Sequence, residues 1–151
     1  MTMEDLIAIE EIKQLKARYC YYLDMKEWDN FVETLTEDVT IDVDIAVSTN
    51  QRDPKPIPQV KGRSTQRVKI ERMAAEAYTV HQVHSPMIEL TSSTTAKAIW
   101  AMEDVIEKSG FSLHGRGHYR ETYRKEADGK WYIASIHLTR TLVKMSGESG
   151  Y

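Results

Sequence analysis

The chain has 151 residues, 41% of them hydrophobic and 28% charged, a balance that suits one soluble globular domain with a core of its own. With 20 basic against 23 acidic side chains the formal charge is −3, so nothing marks a nucleic-acid partner. No apolar run nears the ~20 residues of a membrane span, and one cysteine excludes an intrachain disulfide and a cysteine-based zinc site.

The chain begins Met-Thr-Met-Glu-Asp, acidic and without a following apolar segment, so no secretory signal is expected and a cytoplasmic location fits. Leu6, Ile9, Ile12, Leu15, Tyr19 and Tyr22 recur at three- and four-residue steps and predict an amphipathic helix, with Glu10, Lys13, Lys16 and Arg18 on its other faces. Cys20 within it reads as a small buried hydrophobe. After a break near Asp24 to Glu27, a shorter helix carries Trp28, Phe31 and Leu35 and ends at Thr36-Glu37-Asp38.

Val39 to Ile45 alternates apolar and polar residues with period two, a half-buried strand. Asn50 to Pro58 holds three of the four prolines and predicts a loop. Ser64 is placed to cap a third helix reaching about Tyr78, with Val68, Met73, Ala74 and Ala77 inside.

From Thr79 the chain reads as strands: through His81 to Leu90 with Pro86 at a bulge or edge, Thr95 to Glu107, Ser112 to Lys125, and Trp131 to Val143. Asp128-Gly129 is a hairpin signal between the last two. The basic cluster from Arg116 to Lys125, interleaved with Glu121 and Glu126, reads as a solvated strand face. Residues 1–145 form one domain in this reading and 146–151 a flexible tail. Helices first and a strand meander afterwards is an α+β pattern.

Chemistry concentrates on scattered residues. A carboxylate held against an imidazole is a general base with its orienter, and Asp24 and His81 are the candidates. His81 and His84, three apart on a strand, point to opposite faces, and His114 and His118 share a face with Arg116 and Arg120, so no metal set is expected. No phosphate loop or dinucleotide fingerprint is present, and no cofactor is implied. Asp104 shares its strand parity with Trp100 and Met102, as a second acid/base if that face lines a cavity and as a solvated charge if it does not. Arg140 has the parity of Ile136, Leu138 and Leu142 and is an odd charge on an apolar face.

Ala17-Arg18-Tyr19, Asp24, Trp28-Asp29, Thr36 to Val39, His81 after the third helix, Ala98 to Asp104, Gly117-His118-Tyr119, Tyr123 and Asp128 to Trp131 together resemble the SnoaL-like branch of the nuclear-transport-factor-2-like superfamily. The resemblance spans essentially the whole chain. It implies a cone-shaped α+β barrel, in which three N-terminal helices pack on a curved, mainly antiparallel sheet around a deep pocket. Within the superfamily the chain is similar to scytalone dehydratase, bile acid 7α-dehydratase and the hexachlorocyclohexane dehydrochlorinase, whose Asp–His pair matches Asp24 and His81. Similarity to the bile acid enzyme also implies active-site roles for Tyr19 and Asp104. A second histidine and two tyrosines of scytalone dehydratase have no counterpart here, which argues against scytalone itself as substrate.

The expectation is a cofactor-independent lyase of dehydratase type, with Asp24, His81, Tyr19 and Asp104 catalytic and Trp28, Trp100, Met102 and Arg140 binding a small apolar alicyclic, aromatic or steroid-like substrate. The alternatives are an isomerase or polyketide cyclase using the same pair, or a non-catalytic ligand-binding module. Sheet strands apolar on both faces, such as Val105/Ile106 and Ile133/Ala134/Ile136, imply a homo-oligomer, dimer or trimer.

Overall fold

Thr2 opens the first helix with a capping box: its hydroxyl accepts from the Asp5 backbone N–H at 3.1 Å, and the Asp5 carboxylate accepts from the Thr2 N–H at 2.8 Å. This helix, α1, runs Met3–Asp24. It is followed by α2 (Trp28–Val32), β1 (Leu35–Val47), β2 (Val60–Lys61), α3 (Arg63–Ala74), β3 (Tyr78–Leu90), β4 (Thr95–Lys108), β5 (Phe111–Lys125) and β6 (Trp131–Gly147). The structure is a computed structural model, and it describes residues 1–47 and 57–147.

The six strands form one sheet in the order β2-β1-β6-β5-β4-β3. Every neighbouring pair is antiparallel except β1 and β6, which run parallel. β3 is therefore an edge strand. Its register against β4 shifts between His84 and Met87, a bulge at Ser85 and Pro86 where proline costs no ladder bond. The helices lie on the inner face: Ile12, Leu15, Tyr19 and Leu23 of α1 pack with Phe31, Leu35, Ile41, Trp100, Ile133 and Leu138 in the main core. A smaller cluster of Ala77, Ile106, Phe111 and Leu113 closes the far end. Helical and strand periodicities thus meet in one α+β architecture, with helices on one side of a mostly antiparallel sheet.

Several boundaries differ from the sequence expectation, each for a local reason. The second helix stops at Val32 because the Thr34 hydroxyl donates to the Phe31 carbonyl at 2.6 Å, taking an acceptor the helix would need. Leu35 to Asp38 then belong to β1. Gly62, not Ser64, stands at the cap of α3, in a left-handed conformation (φ 91°) that other residues avoid. That helix ends at Ala74, and Val68 lies outside at 66% exposure. Leu6 is also exposed on α1. β6 continues through Ser146 and Gly147, which pair with Ser112 and Phe111, so these two residues are strand and not tail. The rest of the expected tail, 148–151, and most of the proline loop lie outside the described residues.

Two charges expected in water are fully buried. Lys16 of α1 and Glu121 of β5 form an ion pair beneath the helix. No described helix is long and apolar enough to cross a membrane.

Candidate active site

The end of α1 places the first group. Asp24 is its last residue, and two positions on Lys26 takes a left-handed conformation (φ 59°) and donates from Nζ to the Ala77 carbonyl at 2.6 Å. That contact ties the helix end to the start of β3. The Asp24 carboxylate then accepts three hydrogen bonds from β3: from the His81 backbone N–H at 2.8 Å, from the Thr79 hydroxyl at 3.0 Å, and from His81 Nδ1 at 2.6 Å. A carboxylate against Nδ1 places the ring proton there and leaves the lone pair on Nε2. Alternation along β3 turns His81 and Val83 inward and exposes His84.

Directly across the ladder from His81 stands Asp104 of β4. It is buried, and its two oxygens accept from Arg140 of β6 in a fork, Nη1 to Oδ1 at 2.5 Å and Nη2 to Oδ2 at 3.0 Å. The intervening strand supplies room for this pair. Gly115 is the ladder partner of Asp104, and a Cβ there would lie 2.0 Å from Arg140 Nη1 and 2.5 Å from Asp104 Oδ1. Asp104 is thus neither solvated nor alone, and Arg140 is explained by its partner.

His81 and Asp104 reach one cavity of about 60 Å³ between the sheet and the helices. Tyr19 and Leu23 line it from α1, Gln66, Lys69, Ile70 and Met73 from α3, and Tyr119, Ile136 and Leu138 from the sheet. Asp24 stands behind His81 and not in the wall. Five residues turn a helix by about 140°, so Tyr19 faces the cavity while Asp24, at the helix end, meets the back of the imidazole. Burial pushes the Tyr119 phenol well above its ordinary range, with the Tyr19 phenol and the Asp104 carboxylate adding to it. Partial loss of water lowers the Lys69 ammonium.

The other residues expected to bind substrate lie elsewhere. Trp100 is in the core with its indole N–H donating to the Tyr123 hydroxyl at 2.8 Å, Met102 packs in the same core, and Trp28 lies edge-on to Phe31. None of the three lines the cavity. Among the described residues no three His, Cys, Asp or Glu side chains cluster to hold a metal ion. His114 pairs with Glu103, and His137 with Asp44.

Sequence reasoning missed the polar layer behind the cavity. Lys16 Nζ lies 4.0 Å from the Tyr19 ring centroid and 3.7 Å from that of Tyr119, while bonding Glu121, which also accepts from the Tyr123 hydroxyl. A signal was available: Lys16 falls four residues after Ile12 and three before Tyr19, inside the apolar stripe. Glu121 shares parity with Tyr119 and Tyr123.

The profile of the SnoaL-like domain matches residues 4–137. The chain belongs to the SnoaL-like family. Solved structures share its fold. A candidate scytalone dehydratase from Novosphingobium aromaticivorans is 19% identical, covers 100% of this chain and 99% of its own, and superposes with a TM-score of 0.77. The hexachlorocyclohexane dehydrochlorinase LinA-type3 from Novosphingobium barchaimii is 13% identical over 99% of this chain and 95% of its own, TM-score 0.77. Rv3472, a Mycobacterium tuberculosis protein of unknown function solved as a point variant, is 23% identical over 91% of this chain and 73% of its own, TM-score 0.73. Together these solved structures establish the α+β, nuclear-transport-factor-2-like fold, and at such identities the fold alone.

Proposed function

We propose that this SnoaL-like protein is a cofactor-independent lyase of dehydratase type, acting on a small cyclic carbonyl compound. The observation that carries the reading is the imidazole of His81, fixed from behind by Asp24 with Nε2 left for the cavity. His81 Nε2 removes the proton beside the carbonyl, and the electrons of that C–H bond form the new double bond as the β-hydroxyl departs. Tyr19 gives its phenolic proton to the departing oxygen, which leaves as water. Return of the proton from the imidazolium to the phenolate restores both groups. Asp24 stabilises the imidazolium and fixes the tautomer.

Tyr19 is preferred over Asp104 as the acid, because both oxygens of Asp104 are occupied by Arg140 and present no proton. The Asp104–Arg140 pair instead sets the field at the cavity floor. The names of two neighbours, a dehydrochlorinase and a candidate dehydratase, both describe or suggest eliminations, and this supports an elimination here as well. The mainly aliphatic wall suits an apolar ring, and a cavity of about 60 Å³ must widen to admit one.

Screening β-hydroxy ketones for the rise of enone absorbance tests the reading. His81→Ala is expected to abolish turnover, and Asp24→Asn to lower kcat by about 10²–10⁴-fold with folding intact. Near-native rates in both variants would sink it. Proton exchange without loss of water would identify an isomerase using the same base.

A further inference from the structure

The buried stripe of α3 is Gln66, Ile70 and Ala74, and one of these three is out of place. Gln66 is 6% exposed and lines the cavity, yet its amide oxygen has no hydrogen-bond partner among the described residues. Nearly all buried polar atoms in folded proteins are paired, and an orphan costs the loss of its water. A leucine or isoleucine would fill the position at no such cost.

The place of α3 gives the orphan a direction. That helix packs over β1 and β2 at one end of the sheet, whereas His81 is on β3 at the other edge. Gln66 and His81 therefore approach the cavity from opposite sides. An amide presents an oxygen or, turned over, an NH₂ group. A hydroxyl both donates and accepts, so it pairs with either orientation, which a methyl group cannot do.

We propose that Gln66 reads a hydroxyl on the substrate at the end remote from the carbon that His81 deprotonates. The substrate class is then a hydroxylated cyclic carbonyl compound and not a wholly apolar one. This rests on the elimination reading for the location of the reacting carbon, while the hydroxyl contact itself is independent of the chemistry.

Phenol and toluene, nearly equal in shape and different in one hydroxyl, are the probes. Binding of each to the wild type and to Gln66→Leu is titrated by the ring resonances of His81, which report occupancy of this cavity. In the wild type phenol is expected to bind more tightly than toluene, and that preference should shrink about 3- to 10-fold in Gln66→Leu, the size of one net hydrogen bond. The variant should also melt at a higher temperature, since a buried amide oxygen without a protein partner has been removed. An unchanged preference, no preference in the wild type, or a lower melting temperature in Gln66→Leu would overturn the proposal. Retained turnover in His81→Ala would instead defeat the elimination reading and leave the hydroxyl contact standing.

Discussion

At the scale of single residues, the Asp104–Arg140 pair shows how burial changes the meaning of a charge. Both side chains are almost completely enclosed, so removing one strands the other away from water. Arg140→Met alone is expected to cost about 3–5 kcal/mol in urea unfolding. Combining it with Asp104→Leu should recover most of that loss, because neither charge is then left unpaired. Equal stability of the single and double variants would show that solvent reaches the pair. Arg140 was visible in the sequence as a charge in an apolar register, whereas Asp104 shared the parity of Trp100 and Met102 without the sequence deciding whether that face met a cavity or water. Lys16 and Glu121 were passed over because each sits among other charges in the sequence. Only the superposed periods of helix and strand reveal that they point inward.

At the scale of elements, the meander of four long strands could be read directly, since alternation over a dozen residues is hard to mistake and Asp128-Gly129 punctuates it. Short elements were less legible. The fate of Thr34 to Asp38 turned on one hydroxyl, and the start of α3 on a glycine with positive φ. The register of β5 between β4 and β6 has an effect that can be measured. Gly115→Ala puts a methyl group where the guanidinium and carboxylate meet, on a strand laddered on both sides, to β4 and to β6. The variant should lose about 1–3 kcal/mol, as overpacked cores do. It should also lose activity, because Asp104 faces His81 across the ladder. Gly129→Ala tests the opposite case, with open space around the methyl group but a left-handed backbone (φ 79°), so its effect should be confined to stability.

For the whole molecule, the buried protonated groups govern its tolerance of alkali. Burial pushes the Cys20 thiol up to about 11 and the Tyr119 and Tyr123 phenols well above their ordinary range. Between about pH 9 and 11 the unfolded chain releases protons that the native state keeps. It then binds fewer protons than the native state, and stability must fall as pH rises. Cys20 alone contributes about 2–3 kcal/mol to that fall by about pH 11. Urea midpoints at about pH 8 and about pH 11 measure it, and an unchanged midpoint would contradict the burial. The same thiol should resist alkylation until the protein unfolds. The outer sheet face leaves Val80, Met87 and Leu142 exposed. A dimer or trimer formed through it remains our expectation, and a monomer by light scattering at micromolar concentration would remove it.

Gly115 also carries a historical consequence. Because no side chain fits between Asp104 and Arg140, the three positions cannot change one at a time without a damaged intermediate. A lineage that acquired alanine at 115 must first have dispensed with the charge pair, and one that gained the pair must already have held glycine. Across relatives these three sites should be inherited as a single trait, so that a chain with a bulkier residue at 115 is expected to lack the arginine, the aspartate, or both.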